Sequence, residues 1–254
     1  MNNTIVLIGG SGFLGTALAG SLLQQGYRTL IADRARSVRY PHLWMPADVR
    51  NKDTLRTALR GAKTVYNLAA EHRDEVRPIS LYADVNVRGA RNVCDVAEEL
   101  GISRMVFTSS VAVYGLQQGE MSEEAPLKPF NEYGRSKCEA EAVYRRWLEG
   151  ATSRSLVMVR PTAIFGEGNR GNVFNLIRQI ASRRFLMVGD GSNRKSLAYV
   201  DNVADFLAHA LRFGPGCHLV NYVDKPDFDM AGLVREIRRQ LGQADTKLRR
   251  LPYW

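Results

Sequence analysis

The sequence predicts an α/β fold: a doubly wound parallel sheet with helices on both faces, followed by a small C-terminal lobe. Three observations predict it. Short apolar runs alternate with longer stretches of helical periodicity through about residue 165. The runs are continuous rather than alternating, as in strands covered on both faces. A glycine-rich loop stands between the first run and the first helix.

The elements follow in order. Thr4 to Ile8 is a buried-type strand ended by GGSG, and Phe13 to Gln25 then shows helical spacing until Gly26 closes it. Arg28 to Ala32 is a second strand, ended by Asp33. The apolar run at Leu43 to Met45 leads to Asp48. Thr54 to Leu59 is a helix and Thr64 to Leu68 another buried strand. Leu81 to Leu100 reads as one long helix closed by Gly101. Arg104 to Phe107 is a strand running into Thr108, Ser109 and Ser110. Glu132 to Leu148 is a helix, and Ser155 to Val159 a strand followed by Arg160 and Pro161. Beyond Phe165 the pattern loosens. Gly166, Gly168 and Gly171 mark a loop before a helix near Val173 to Ala181, and Gly189-Asp190-Gly191 marks another. Asp201 and Asn202 are expected to cap the helix after them. Met230 to Leu241 is a further helix.

Composition narrows the class. The 254 residues are 45% hydrophobic and 24% charged, ordinary for a globular protein. No apolar run approaches the length of a membrane span. The start, MNNTIVLIGG, has no basic leader region, so a cytoplasmic location is expected. Cys94, Cys138 and Cys217 are scattered without CxxC spacing, which points to buried thiols and to neither disulfides nor a metal site. The net charge of +9 suits an anionic partner, or simply an arginine-rich solvated surface. Its densest cluster is Arg235, Arg238, Arg239, Lys247, Arg249 and Arg250. Neither zinc-finger spacing nor an RNP-type aromatic motif accompanies it, so nucleic acid is not an expected partner.

The loop GGSGFLG places Gly9, Gly12 and Gly15 in the spacing of a dinucleotide-binding turn, after a strand and opening a helix. Gly9 permits the tight turn, Gly12 the approach of a pyrophosphate, and Gly15 close helix–sheet packing. The helix start adds aimed N–H groups and a positive dipole. Asp33 ends the second strand near the expected spacing of about 20 residues. A carboxylate there accepts hydrogen bonds from a ribose diol and favours NAD. Arg34 and Arg36 beside it suit a 2′-phosphate, so NADP stays open.

With these residues the chain resembles the extended short-chain dehydrogenase/reductase family, in its NAD-dependent nucleotide-sugar epimerase/dehydratase branch. The matches run from residue 5 to about 204. They are the GFLG loop, Asp48-Val49, Asn67-Leu68-Ala69-Ala70, Asn86-Val87-x-Gly89-x-x-Asn92, SSVAVYG from Ser109, YGRSK from Tyr133, RPTAIFG from Arg160 and AYVDNVADF from Ala198. The resemblance implies a Rossmann-type fold and a set of roles. Tyr133 is the acid/base, Lys137 its partner, and Ser110 the hydroxyl that holds the substrate oxygen. Gly9, Gly12, Phe13, Leu14, Asp33, Arg34, Asp48, Val49, Leu68, Ala69, Ala70, Asn86, Ser109 and Pro161 surround the cofactor with Tyr133 and Lys137. Elementary chemistry agrees. A free tyrosine, with a pKa of about 10, is a poor base at neutral pH, and a nearby ammonium is expected to lower it. Residues four apart share a helix face, so Tyr133 and Lys137 point the same way.

The resemblance also separates reactions. A 4,6-dehydratase carries an Asp-Glu pair where this chain has Val111-Ala112, which argues against dehydration. A 4-epimerase and a 4-keto reductase share Ser-Tyr-Lys, and Asp33 leans toward tightly held NAD and hence epimerase. A non-catalytic dinucleotide sensor is disfavoured because tyrosine and lysine are both retained. The implied substrate is a nucleotide-sugar, UDP-linked, in surface polysaccharide synthesis, contacted by Asn172, Arg194 and Lys195. A helix cap is an equal reading of Asn172. Lysine at 195, where the family has arginine, acts as a point charge. Residues 1–165 are expected to form the cofactor domain, with 190–212 returning to it. Residues 166–189 and 213–254 are expected to form a substrate-binding lobe. The chain stops at LPYW, where the family usually continues with a further C-terminal segment, so either a truncated chain or a minimal lobe is expected. A homodimer through the helices Leu81–Leu100 and Glu132–Leu148 is expected by the same analogy.

Overall fold

The computed structural model describes residues 4–73, 75–117, 119–243 and 250–252. The chain divides into two compact units, Met1–Pro161 with Asp201–Tyr222, and Thr162–Val200 with Val223–Trp254.

The first unit is built on a seven-stranded sheet. Its strands are β1 (Thr4–Ile8), β2 (Thr29–Asp33), β3 (Trp44–Pro46), β4 (Ala62–Asn67), β5 (Arg104–Thr108), β6 (Ser155–Pro161) and, from the later segment, Gly216–Tyr222. Every pairing is parallel, and the order is Gly216–Tyr222, β6, β5, β4, β1, β2, β3. The chain runs outward from β1 to β3, then returns to β4 on the other side of β1. That reversal leaves the C-terminal ends of β1 and β4 adjacent, where such sheets bind ligands.

Helices α1 (Phe13–Gln24), α2 (Lys52–Ala58), α3 (Ser80–Tyr82), α4 (Gly89–Glu99) and α5 (Glu132–Glu149) join the strands. All five residues of β1 are buried, as the continuous apolar run requires. Val65, Phe107 and Met158 continue the core, and the rings of Phe107 and Tyr144 stack at 4.5 Å. Burying such side chains contributes about 1.5–3 kcal/mol each. Two starts are capped by asparagine. Asn51 accepts from Asp53 N and Thr54 N, and Asn131 from Gly134 N at 2.8 Å. The second cap fixes the turn that carries Tyr133.

Three expectations need correction. The long helix expected over Leu81–Leu100 is interrupted by a π-helical stretch, Ala83–Arg88, between α3 and α4. This wider turn hides from apolar periodicity and carries Asn86. The return to the sheet begins at Asp201, not 190, and includes the strand at Gly216–Tyr222. That strand, assigned above to the lobe, pairs with β6 from Gly216↔Ser155 to Tyr222↔Pro161. It is half-buried and mixed in sequence, as an edge strand is. Finally, the helix Val200–His209 starts before Asp201. Asp201 sits in its first turn, where it favours the helix dipole, and does not cap it.

The second unit holds β7 (Ala163–Phe165), α6 (Asn172–Ala181), β8 (Met187–Val188), β9 (Arg194–Lys195) and β10 (Leu197–Tyr199). In chain order α7 (Val200–His209) and β11 (Gly216–Tyr222) of the first unit come next, then β12 (Phe228–Asp229), α8 (Met230–Gln240) and β13 (Arg250–Leu251). Helices α6 and α8 meet through Val173 and Leu233, and again through Ile180 and Val234 beside Met187. A cavity of about 260 Å³ is walled mainly by Phe165, Val173, Phe174, Ile177 and Tyr199. Within the basic cluster Arg239 pairs with Glu236 at 2.7 Å. Lys247 and Arg249 lie outside the described residues. All three cysteines are free thiols, with Cys94 buried and Cys217 exposed. Among the described residues no helix is long and apolar enough to cross a membrane.

Candidate active site

The loop after β1 forms a cradle against the end of β4. Gly9 has φ +75°, and a Cβ on it would lie 2.6 Å from Ala69 N. A Cβ on Gly15 would lie 2.5 Å from Gly10 Cα, so the loop closes tightly on α1. Gly12 is the N-cap residue of α1, and no side chain caps that start. The Gly12 N–H donates to Gly9 O at 3.2 Å, while those of Phe13 and Leu14 stay available to an anion. Both Asp33 oxygens accept backbone N–H groups, from Ser11 and Ala35 at 3.0 Å, and each keeps a lone pair for a ribose hydroxyl. A backbone-lined anion cradle beside a strand-end carboxylate fits NAD.

The cradle's neighbours are also in place. Leu68 N donates to Ile8 O, and Ala69 N to Asn67 Oδ1, so Leu68, Ala69 and Ala70 are half-buried beside the glycine loop. Val49 is buried and its carbonyl accepts from Asn92 Nδ2 at 2.8 Å. Asp48 takes a 2.6 Å ion pair from Arg50, whose hydrogen bond holds the carboxyl below its ordinary pKa. Arg34 leans toward the same carboxylate at 3.6 Å.

Tyr133, Lys137 and Ser110 come together in the first unit. Asn131 starts α5 so that Tyr133 lies in its first turn and Lys137 one turn later on the same face. Lys137 is only 2% exposed. Its ammonium donates to Thr108 O at 2.8 Å and lies 5.9 Å from the centre of the Tyr133 ring. Ser110 caps the short 3₁₀ turn Val111–Tyr114 through Ala112 N, and its side chain also hydrogen-bonds Tyr133.

The electrostatics differ from expectation. Burial raises the Tyr133 phenol above its ordinary pKa, and the Ser110 hydrogen bond opposes this only in part. Burial also brings Lys137 down to about 7, against the pull of the Glu141 carboxylate. The ammonium is thus itself desolvated and weakly held, so it does not depress the tyrosine as the spacing suggested. Tyr133 rests in its protonated form.

Two residues expected at the cofactor spend their side-chain hydrogen bonds on the protein. Asn86 is buried, and its amide is spent on the backbone of Glu71 and on Ser136 Oγ. It shapes the segment after β4. Ser109 Oγ donates into the core, to Glu141 Oε1 at 2.6 Å. Pro161 is buried at the end of β6. Asn172, Arg194 and Lys195 belong to the second unit. Asn172 is the first residue of α6 and Gly171 its N-cap, which removes the capping reading. Arg194 is exposed and Lys195 half-buried on β9.

Sequence reasoning missed a buried ion pair under the site. Glu141 and Arg160 are 2% and 1% exposed. Arg160 Nε and Nη2 reach the two carboxylate oxygens at 2.8 and 2.6 Å. Arg160 Nη1 donates to Tyr114 Oη at 2.6 Å, and Tyr114 Oη to Asn221 Oδ1 at 2.7 Å. One signal was present: Glu141 follows Lys137 at the interval by which Lys137 follows Tyr133, on one helix face.

Residues 5–222 match the profile of the NAD dependent epimerase/dehydratase family. The chain belongs to that family. It is an NAD-dependent enzyme of the extended short-chain dehydrogenase/reductase type. A 4-epimerase of N-acetyl-alpha-D-glucosaminyl-diphospho-ditrans,octacis-undecaprenol from Escherichia coli O157:H7 is 48% identical over 255 residues, covering 100% of this chain and 76% of that relative. A UDP-glucose 4-epimerase from Vibrio cholerae is 29% identical over 265 residues, covering 100% and 80%. Among solved structures, UDP-N-acetylglucosamine 4-epimerase from Bacillus cereus has a TM-score of 0.85 at 22% identity, covering 98% of this chain and 85% of that one. That likeness shows a shared fold.

Proposed function

We propose that this enzyme is a 4-epimerase of a hexose or N-acetylhexosamine carried on a diphosphate. The observation that carries the reading is the meeting of Ser110, Tyr133 and buried Lys137 in the unit that holds the dinucleotide cradle. When bound, NAD would supply the hydride acceptor and donor for sugar carbon four, and the charge of its oxidised form would favour the Tyr133 phenolate. Ser110 orients the 4-hydroxyl by hydrogen bonding the oxygen that Tyr133 also meets. Tyr133 first gives its phenol proton to solvent; as the phenolate it takes the hydroxyl proton during oxidation and gives it back on reduction. Lys137, pinned by Thr108 O, keeps two of its three donors for other partners and supplies the local cation. Val111 and Ala112 offer no second acid or base, so the chemistry ends at proton and hydride exchange.

The relative that matches the whole chain at 48% identity makes a polyprenyl diphosphate the first carrier to test. The Vibrio cholerae relative supports a second, UDP, in line with the nucleotide-sugar expected from sequence. Asn172, Arg194 and Lys195 are our assignment for the diphosphate side. A homodimer through the outer faces of α4 and α5, and a place in surface polysaccharide synthesis, complete the proposal. The test is to incubate the purified protein with N-acetylglucosamine on each carrier and resolve the C4 epimers. Conversion on at least one carrier is expected. No conversion on either, with NAD bound, overturns the reading.

A further inference from the structure

The ion pair beneath the site does more than fill the core. Glu141 completes the stripe Tyr133–Lys137–Glu141 on one face of α5 and reaches three elements. Its Oε1 accepts from Ser109 Oγ at 2.6 Å, directly beside Ser110. Both its oxygens hold Arg160 on β6. Arg160 in turn holds Tyr114, at the far end of the 3₁₀ turn that Ser110 caps, and the Glu123 carbonyl at 3.3 Å. Tyr114 passes the connection to Asn221 on β11, whose N–H and amide hold Glu123 Oε1 and Met121 O at 2.7 and 2.9 Å. The turn carrying Ser110 is thus gripped at both ends from one carboxylate–guanidinium pair. A leucine or methionine pair would fill the same space without directing either end.

We propose that Glu141 and Arg160 are positioning residues that hold Ser110 in register with Tyr133, acting through Ser109 at one end of the Val111–Tyr114 turn and through Tyr114 at the other. This rests on the proposed epimerase reading, and it assigns the network a role in rate rather than in binding. A structural filler would alter only the amount of folded protein. A positioning pair alters turnover per folded molecule, because small misplacement of a reacting group costs much rate.

The groups facing Lys137 give a second readout. Its own helix presents Tyr133 and Glu141, β5 presents the Thr108 carbonyl and the Phe107 ring, and β6 presents Arg160 bound to Glu141. Glu141 is the charge that supports the Lys137 ammonium. Removing it moves Lys137 further down, so the fall of activity with rising pH begins at lower pH.

The experiment compares Ser109→Ala, Tyr114→Phe and Glu141→Gln with the parent, normalised to folded NAD-bound protein. We expect kcat to fall about tenfold or more in each, with KM for the sugar within about twofold. In Glu141→Gln the alkaline limb of the kcat profile also shifts to lower pH. Parent-like kcat in all three variants overturns the proposal, as does loss confined to folded yield. If the parent epimerises no substrate, the functional reading fails by itself. The pair is then read by NMR titration of the Lys137 side chain. A lowered titration in Glu141→Gln supports the coupling, and an unchanged one overturns it.

Discussion

Replacing Lys137 by methionine removes a buried ammonium and leaves an apolar chain of similar length in its slot. The residue is 2% exposed. Burial lowers its pKa from 10.5 to about 7, with Glu141 opposing. The folded-state value lies below the unfolded one. Between the two, the unfolded chain binds a proton that the folded chain lacks, so the parent gains stability as pH rises through that window. Below about 7 both states carry the charge, and the folded state bears the full cost of burying it. The distance from 10.5 to about 7 corresponds to roughly 5 kcal/mol. Losing the hydrogen bond to Thr108 O offsets about 1 kcal/mol of the relief. The variant should therefore exceed the parent by about 3–4 kcal/mol near pH ~6.5. The difference should narrow by roughly 2–3 kcal/mol on going to pH ~9. Urea unfolding of the NAD-free protein, followed by circular dichroism at both pH values, measures it. A variant less stable than the parent at the lower pH, or a difference that does not narrow, refutes the reasoning. The same variant loses turnover, so the lysine is kept against its cost to stability.

Two further outcomes follow from the site. Tyr133→Phe keeps the ring and removes the proton carrier, so turnover falls by at least about a hundredfold. NAD binding by fluorescence titration stays within about twofold, since the cradle is untouched; parent-level turnover would remove Tyr133 from the chemistry. Gly9→Ala forces a Cβ to within 2.6 Å of Ala69 N at φ +75°. It should cost about 1–3 kcal/mol of stability and weaken NAD binding. Unchanged NAD affinity would contradict the cradle.

Local signals with a strong physical cause were legible from sequence. The glycine loop must be glycine where Gly9 and Gly15 leave no room for a Cβ, and the buried strands must be continuously apolar. Tyr133 and Lys137 share a face because helix geometry leaves no other choice. Features set by tertiary context were not legible. The π-helical stretch at Ala83–Arg88 keeps the apolar period of its flanks and is defined by where Asn86 must reach. Strand β11 has one covered edge and a mixed sequence, so no run announces it. Glu141 lies among the charges of α5 and reads as solvated until Arg160 is found 2.6 Å away. The raised pKa of Tyr133 has the same origin. Spacing shows that a cation is near, but only the packing shows that the cation is desolvated too.

The central claim is that hydride leaves carbon four and returns to it within one active site, with Tyr133 handling the proton. It is tested most directly with N-acetylglucosamine deuterated at carbon four, supplied on the polyprenyl and UDP carriers without added reduced cofactor. The account predicts that the C4 epimer forms and keeps its deuterium at carbon four. Loss of the label, or turnover only when reduced cofactor is supplied, would contradict it.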